Sequence, residues 1–353
     1  MSEPAADYDY EVPPAAVAQL PAARRADARL LLVPRGAPPA AALREATVAA
    51  LPALLRPGDL LVLNEVRVRP ARLAARRATG GRVSVLVLDV GPDGRAARVL
   101  LGARGTPLAG ERLAVGGDTW RVIAPLGEGR FEIAVESGRD VPALLADVGR
   151  MPLPPYIERG EEADARDALD RERYQTTFAT GAARAAAAPT AGLHLTPELL
   201  ETAAARGVQV ARLSLAVGEG TFRPLRGETL GEHVMHAEHY EIPVEVAAAF
   251  AAARAEGRRV VAVGTTVVRA LESAVAEDGR TLRAGAGDTS LFIRPGHRFR
   301  AVDALLTNFH QPRSTLLVLV SAFAGLETVR AAYAEAIARG FRLFSYGDAM
   351  LLE

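Results

Sequence analysis

The periodicity of the sequence changes twice along its 353 residues, and that change constrains the fold more than any other feature. From about residue 66 to 150 the chain is built of short β-rich runs. "GRVSVLVLDV", "GRAARVLLGA", "ERLAVGGDTWRVIAPL" and "GRFEIAVES" are each bounded by glycine, proline or aspartate. Short runs broken by regular turn residues read as a small antiparallel barrel or sandwich. After "MPLPPYIERG" (151–160), strands alternate with helix-length segments, as in an α/β domain. "PELLETAAAR" reads as a helix with Thr196 at its N-cap, Pro197 at the first helical position and Gly207 past its end. "VQVARLSL" (208–215) and "RRVVAVG" (258–264) read as strands. "PVEVAAAFAAARAEG" (243–257), "TTVVRALESAVAE" (265–277) and "LETVRAAYAEAIARG" (326–340) read as helices. The expected architecture is a large discontinuous α/β domain, residues 1–65 and 150–353, interrupted by a small all-β barrel, residues 66–149.

Composition narrows the function. The 42 basic and 42 acidic residues cancel, and every basic side chain is arginine. Global charge therefore does not advertise nucleic-acid binding, and any such site must be a local arginine patch. Arg67, Arg69, Arg72, Arg76, Arg77 and Arg82 are the candidate patch, against the plainer reading of a solvated sheet-edge charge run. With no cysteine, the chain has no disulfide, thiolate zinc site, cysteine-ligated iron–sulfur cluster or cysteine nucleophile. The acidic start "MSEPAADYDYEVPP" is unlike a signal peptide. The longest apolar run, "STLLVLVSAFAG" (314–325), falls short of the ~20 residues a bilayer requires. A cytoplasmic protein without membrane association is the expectation.

Several motifs could carry chemistry. "LDVGPDGRA" (88–96) looks like a nucleotide loop, but a strand-like run follows it, so "GPDG" is a hairpin turn. "PTAGLHLT" (189–196) sets His194 before a helix start that offers free backbone N–H groups. "VGEGTFRP" (217–224) puts Gly218 and Gly220 at a strand end, where α/β folds bind ligands. In "AVGTTVVRALES" (262–273), Gly264, Thr265 and Thr266 could cradle an anion at a helix start; ordinary turn and capping roles compete with all three readings. "TNFHQPRSTLLVLVSAFAG" (307–325) gathers Asn308, His310, Arg313 and Ser314, a potential N-cap, before an apolar helix. "FSYGDAMLL" (344–352) places Tyr346 and Asp348 where a solvated tail is the plain expectation. In "GEHVMHAEHY" (231–240), His233, His236 and His239 recur every third residue. On an extended segment they alternate faces and cannot converge on a metal, whereas His236 and Glu238 would share a face suited to acid–base work.

Together these stretches closely resemble the S-adenosylmethionine:tRNA ribosyltransferase-isomerases of queuosine biosynthesis. The matching segments run in order: "RPGDLLVLN", "PARL", "PLPPYI", "RYQT", "APTAGLH", "VGEGTF", "HVMHAE", "VGTT" with "LES", "TNFHQPRSTLLVLVSAFAG" and "FSYGDAM". The resemblance implies an α/β domain interrupted by a β-barrel. It also implies a reaction in which S-adenosylmethionine is consumed as a cosubstrate and no cofactor or metal is needed. The ribosyl group passes to 7-aminomethyl-7-deazaguanine at the wobble position of a tRNA and rearranges to give epoxyqueuosine, while adenine and methionine leave. That chemistry needs a base for the C5′ proton beside the sulfonium and acids that assist adenine loss. The implied partners are S-adenosylmethionine and the tRNA anticodon stem-loop, with the protein a monomer.

Within that resemblance His194, His236, Glu238 and His310 are the proton-transfer candidates. Gly218, Gly220, Thr221, Gly264, Thr265 and Thr266 would shape the cosubstrate pocket, beside Asn308 and Asp348. Arg223 and Arg313 would hold a carboxylate or a tRNA phosphate. Phe309 or Tyr346 would stack on a base. The sequence departs from the family pattern at Glu65 and Val66 ("NEVRV" for "NDTRV"), Ala216 ("LAVG" for "LHVG"), Val267 ("GTTVVR" for "GTTSVR") and Leu195 ("GLHL" for "GLHF"). Three of these changes lose a polar group. They leave open a paralogue with a small-molecule acceptor and a non-catalytic RNA-binding homologue.

Overall fold

The computed structural model describes residues 3–36, 43–160, 163–218, 225 and 227–353. The chain divides into two compact units, Met1–Arg67 with Gln175–Glu353, and Val68–Tyr174. The first is built on a nine-stranded sheet. Its strands are β1 (Arg29–Val33), β2 (Arg44–Thr47), β3 (Leu60–Asn64), β12 (Gln209–Leu215), β13 (Glu238–Ile242), β14 (Val260–Val263), β15 (Gly285–Thr289), β16 (Ala304–Asn308) and β17 (Ala349–Leu352). They lie in the order β15-β13-β12-β3-β14-β16-β17-β1-β2. The central strands β12, β3, β14 and β16 are mutually parallel, so their carboxyl ends share one edge. The helices of this unit are α1 (Leu51–Leu54), α4 (Pro197–Ala205), α5 (Val244–Ala255), α6 (Thr265–Ala274), α7 (Thr315–Ala324) and α8 (Leu326–Ala338). No single helix among the described residues is long and apolar enough to cross a membrane.

Local chemistry sets the helix ends. Thr196 caps α4 by accepting from the Leu199 N–H at 3.3 Å, and Ser314 caps α7 by accepting from Leu317 at 3.2 Å. Helix α6 stops at Ala274, three residues before the expected end, because Val275 turns extended and bridges to Leu282. The largest departure from expectation is β17. The presumed tail pairs antiparallel with β16 and parallel with β1, and its four residues are buried inside the sheet.

The second unit is the barrel. β5 (Arg72–Arg77), β6 (Arg82–Val90), β7 (Ala96–Ala103), β8 (Arg112–Val115), β9 (Asp118–Gly127) and β10 (Arg130–Ser137) close in the order β10-β7-β6-β5-β8-β9. "GPDG" is the β6–β7 turn, with the Gly94 N–H donating to the Gly91 carbonyl at 3.0 Å. Trp120, Leu113, Ile133 and Val99 are fully buried inside, each burial being worth about 1.5–3 kcal/mol. Helices α2 (Val141–Val148) and α3 (Asp167–Arg173) complete this unit, and a short pair, β4 (Val66–Val68) with β11 (Thr180–Ala185), stands apart from both sheets. The unit takes in residues 150–174, beyond the stretch read as the insert. Arg150 exchanges backbone hydrogen bonds with Arg72 and pairs with Asp167, and the Arg159–Asp170 ion pair is buried.

Candidate active site at the carboxyl edge of the parallel strands

Carboxyl ends of parallel strands leave backbone groups and helix starts facing one crevice, the usual ligand position of α/β folds. Asn64 ends β3 and organises this edge. Its amide donates to the Leu215 carbonyl (3.0 Å) and to Thr266 Oγ1 (3.2 Å), and its oxygen accepts from Val66 and Leu215 (both 3.1 Å). One fully buried side chain thus ties β3 and β12 to the start of α6. Gly264 joins β14 to α6 at φ +91°, a backbone conformation that disfavours any side chain, and its N–H donates to Leu306. No side chain caps α6, so its first N–H groups and the Thr265 hydroxyl are not used in hydrogen bonds among the described residues.

The 3-10 turn Thr190–His194 packs against β16. His194 is buried, with Nδ1 at 3.1 Å from the Ala191 carbonyl and Nε2 at 2.9 Å from the Gly347 carbonyl. Burial lowers its pKa below the ordinary imidazole value, against the opposing pull of the two carbonyls. A neutral ring donates from one nitrogen only, so the second carbonyl faces a lone pair until a proton arrives. Gly347 has no room for a side chain: a Cβ would lie 2.3 Å from the Arg342 oxygen and 2.5 Å from the Leu343 carbonyl carbon. Gly347→Ala should therefore lower stability by about 1–3 kcal/mol or more, read by thermal melting, and shift the carbonyl that faces His194. An unchanged melting temperature would contradict this packing.

His310 follows β16 and is buried, its Nε2 at 2.9 Å from the Thr307 hydroxyl. Desolvation pushes its pKa down to about 3, so the ring is neutral at ordinary pH. Two tyrosines grip its backbone: Tyr10 donates to its carbonyl at 2.6 Å, and its N–H donates to the Tyr333 hydroxyl at 2.8 Å. Asn308 donates to the Phe344 carbonyl at 3.0 Å while its buried Oδ1 has no hydrogen-bond partner among the described residues. A buried unpaired acceptor calls for an explanation, and a ligand donor supplies one.

Glu238 opens β13, buried and ion-paired with Arg269 of α6. Its Oε1 also accepts from the Gly218 N–H at 3.1 Å. Arg269 in turn donates to the Leu291 and Thr289 carbonyls. The carboxylate therefore anchors the start of the glycine loop. The expected shared face of His236 and Glu238 is not formed: β13 begins only at Glu238, His236 precedes it exposed, and Glu238 turns inward. His239 pairs with Asp288 on the surface, and the His233 ring meets Phe292 edge-on.

The stacking expectation for Phe309 and Tyr346 does not match the structure. Phe309 is 1% exposed and packs edge-on against Tyr333 and Phe341, and Tyr346 is 3% exposed. Asp348 is likewise interior, accepting from the Arg29 and Arg342 N–H groups to tie β1 to the turn before β17. Arg313 is exposed. Its backbone sits at φ +50°, held by hydrogen bonds to Tyr8 and from Leu225, and its guanidinium makes no hydrogen bond or ion pair among the described residues. Gly220, Thr221 and Arg223 lie outside the described residues. Sequence reasoning missed Asn64, Arg269, Tyr10 and Tyr333. The available signal was Arg269 and Glu272 standing as the two charges of a helix otherwise free of them and rich in apolar residues, where buried charges require partners. Glu272 finds the N–H groups of Arg300, Ala301 and Val302.

A mixed α/β sheet with two buried imidazoles and an uncapped helix start at its strand-end edge, in a chain that also carries a β-barrel unit, provides a polar crevice of the kind in which α/β enzymes bind substrates. The chain belongs to the queuosine biosynthesis protein family, whose sequence profile matches residues 5–352. It is 51% identical over 349 residues to an S-adenosylmethionine:tRNA ribosyltransferase-isomerase of Anaeromyxobacter sp. (strain Fw109-5), covering 98% of each chain. Against the relative of the same name from Citrifermentans bemidjiense it is 48% identical over 347 residues, again 98% of each. A crystal structure of an S-adenosylmethionine tRNA ribosyltransferase from Thermotoga maritima superposes with a TM-score of 0.54 at 34% identity, over 98% of this chain and 100% of the other.

Proposed function

We propose that this protein transfers and isomerises the ribosyl group of S-adenosylmethionine onto 7-aminomethyl-7-deazaguanine at the tRNA wobble position. The products are epoxyqueuosine-tRNA, adenine and methionine. The carrying observation is identity of about half the residues across 98% of both chains with relatives of that name. The departures do not favour another acceptor. Val267 is fully buried in α6, so its aliphatic side chain packs the interior rather than facing a substrate.

His194 and His310 are the proton-transfer groups of this reading. Both rings are neutral and so carry a lone pair, which burial makes a weak base; His194 gains a second hydrogen bond when it is protonated. Glu238 holds Gly218 rather than moving a proton, and the unshared N–H groups of α6 with Thr265 and Asn308 Oδ1 receive the cosubstrate. Arg313 offers its guanidinium to a carboxylate or phosphate. The acceptor is the anticodon stem-loop, which places the work in the cytoplasm, and S-adenosylmethionine is consumed with no further cofactor.

The test is adenine release from S-adenosylmethionine with and without a stem-loop carrying the modified base, followed by RNA mass. RNA-dependent release with a matching mass gain is expected. His194→Ala and His310→Ala should each lower turnover by about 10²-fold or more, the usual scale of acid–base contributions. Adenine release without RNA mass gain would overturn the reading.

A further inference from the structure

We propose that the outer face of β5, β6 and β7 in the barrel unit is a docking surface for the phosphate backbone of RNA. This rests on the tRNA reading above and adds a second contact, apart from the nucleotide that is modified. The face holds an open trough of about 700 Å³, lined by Arg72, Arg77, Arg82 and Arg104 with no acidic residue among its lining. In a chain of zero formal charge, a cavity lined by four arginines and no acidic side chain concentrates cationic guanidinium donors locally, although Arg77 shares its charge with Glu111.

The register explains how the trough is made. Ala74 pairs with Ser84, and Ser84 with Gly102, so one row across three strands carries only small side chains. Gly102 cannot be enlarged without displacing Ser84, whose hydroxyl lies 2.5 Å from where a Cβ would stand. This row is the floor. On the next outward row, Arg76 stands directly opposite Arg82. Arg77 at the rim is fixed by the Gly105 carbonyl at 2.7 Å and by Glu111 at 3.3 Å. Guanidinium forks match phosphate oxygens, and a trough with a flat small-residue floor admits a sugar–phosphate strand where bulky side chains would bar it. Sequence-independent contacts of this kind position an RNA without reading bases.

The test is equilibrium binding of an unmodified tRNA transcript to full-length wild type and to the Arg82→Gln/Arg104→Gln double variant across a salt series, without S-adenosylmethionine. Both side chains are exposed, and the melting temperature of the variant is the folding control. We expect the variant to bind about tenfold or more weakly near 0.1 M salt, with the slope of log K against log salt reduced by roughly 2. Equal affinity and slope in the two proteins overturn the proposal, as does absence of tRNA binding by the wild type. Because no turnover is required, a variant with weakened binding supports the trough even if adenine-release experiments sink the proposed reaction.

Discussion

Arg269→Met should destabilise the α/β unit by about 3–5 kcal/mol, the scale of removing one partner from a buried ion pair. Both side chains are almost wholly buried, at 7% and 6% exposure, so the remaining Glu238 carboxylate would have little contact with water and would lose the Arg269 counter-charge. The Gly218 N–H also donates to this carboxylate, but one neutral donor does not replace the guanidinium's charge. The Thr289 and Leu291 carbonyls would lose their guanidinium donor as well. Adding Glu238→Gln should recover a large part of the loss, because the stranded charge rather than lost packing is the main cost. Denaturant midpoints of the two single variants and the double variant decide this. A loss below 1 kcal/mol in Arg269→Met, or no recovery in the double variant, would show that the pair does not govern stability. The same variants should raise the KM for S-adenosylmethionine, since Glu238 anchors the start of the loop that begins at Gly218.

Much of this framework was legible because it is locally encoded. Thr196, Pro197 and Gly207 bracket α4 by cap and turn chemistry that needs no tertiary partner. The barrel strands alternate with a period of two between turn residues; three of the four runs are single strands, and "ERLAVGGDTWRVIAPL" is two, β8 and β9, parted at Gly116 and Gly117. β17 was not legible. "AMLL" at a chain end has no periodicity of its own, and it is a strand only because β16 and β1, distant in sequence, flank it. At the site, residue type pointed to His194 and His310, but type does not reveal orientation. Phe309 has the ring a stacking platform needs, and the same ring fills a core. Arg269 in a largely apolar helix signals a charge that needs a partner, but only the fold shows that the partner is Glu238. Asn64 sits at the end of an apolar strand with no neighbouring polar pattern, so its four hydrogen bonds across three elements appear only once β12 and α6 are in place.

Stability should fall steeply in mild acid, and His310 should account for a recognisable share of the fall. The folded-state pKa of about 3 lies below the ordinary value of 6.5 because burial disfavours the imidazolium. The unfolded chain therefore binds a proton that the folded chain refuses between these values. The contribution of His310 is fully present above about pH 6.5 and is lost as the pH drops toward 3. Each pH unit within that window removes about 1.4 kcal/mol per such histidine. His194 acts in the same direction, its pKa also being lowered by burial. Urea midpoints measured from pH 7.5 to 4.5 should give a stability that declines by more than one proton's slope in the wild type. His310→Gln, which cannot take up that proton, should start lower at pH 7.5 but decline with a slope smaller by about one proton. Parallel wild-type and variant curves would mean that His310 is protonated equally in both states. That outcome would mean that burial does not weaken the ring as a base, and that its lone pair is more available to a proton than the desolvated site implies.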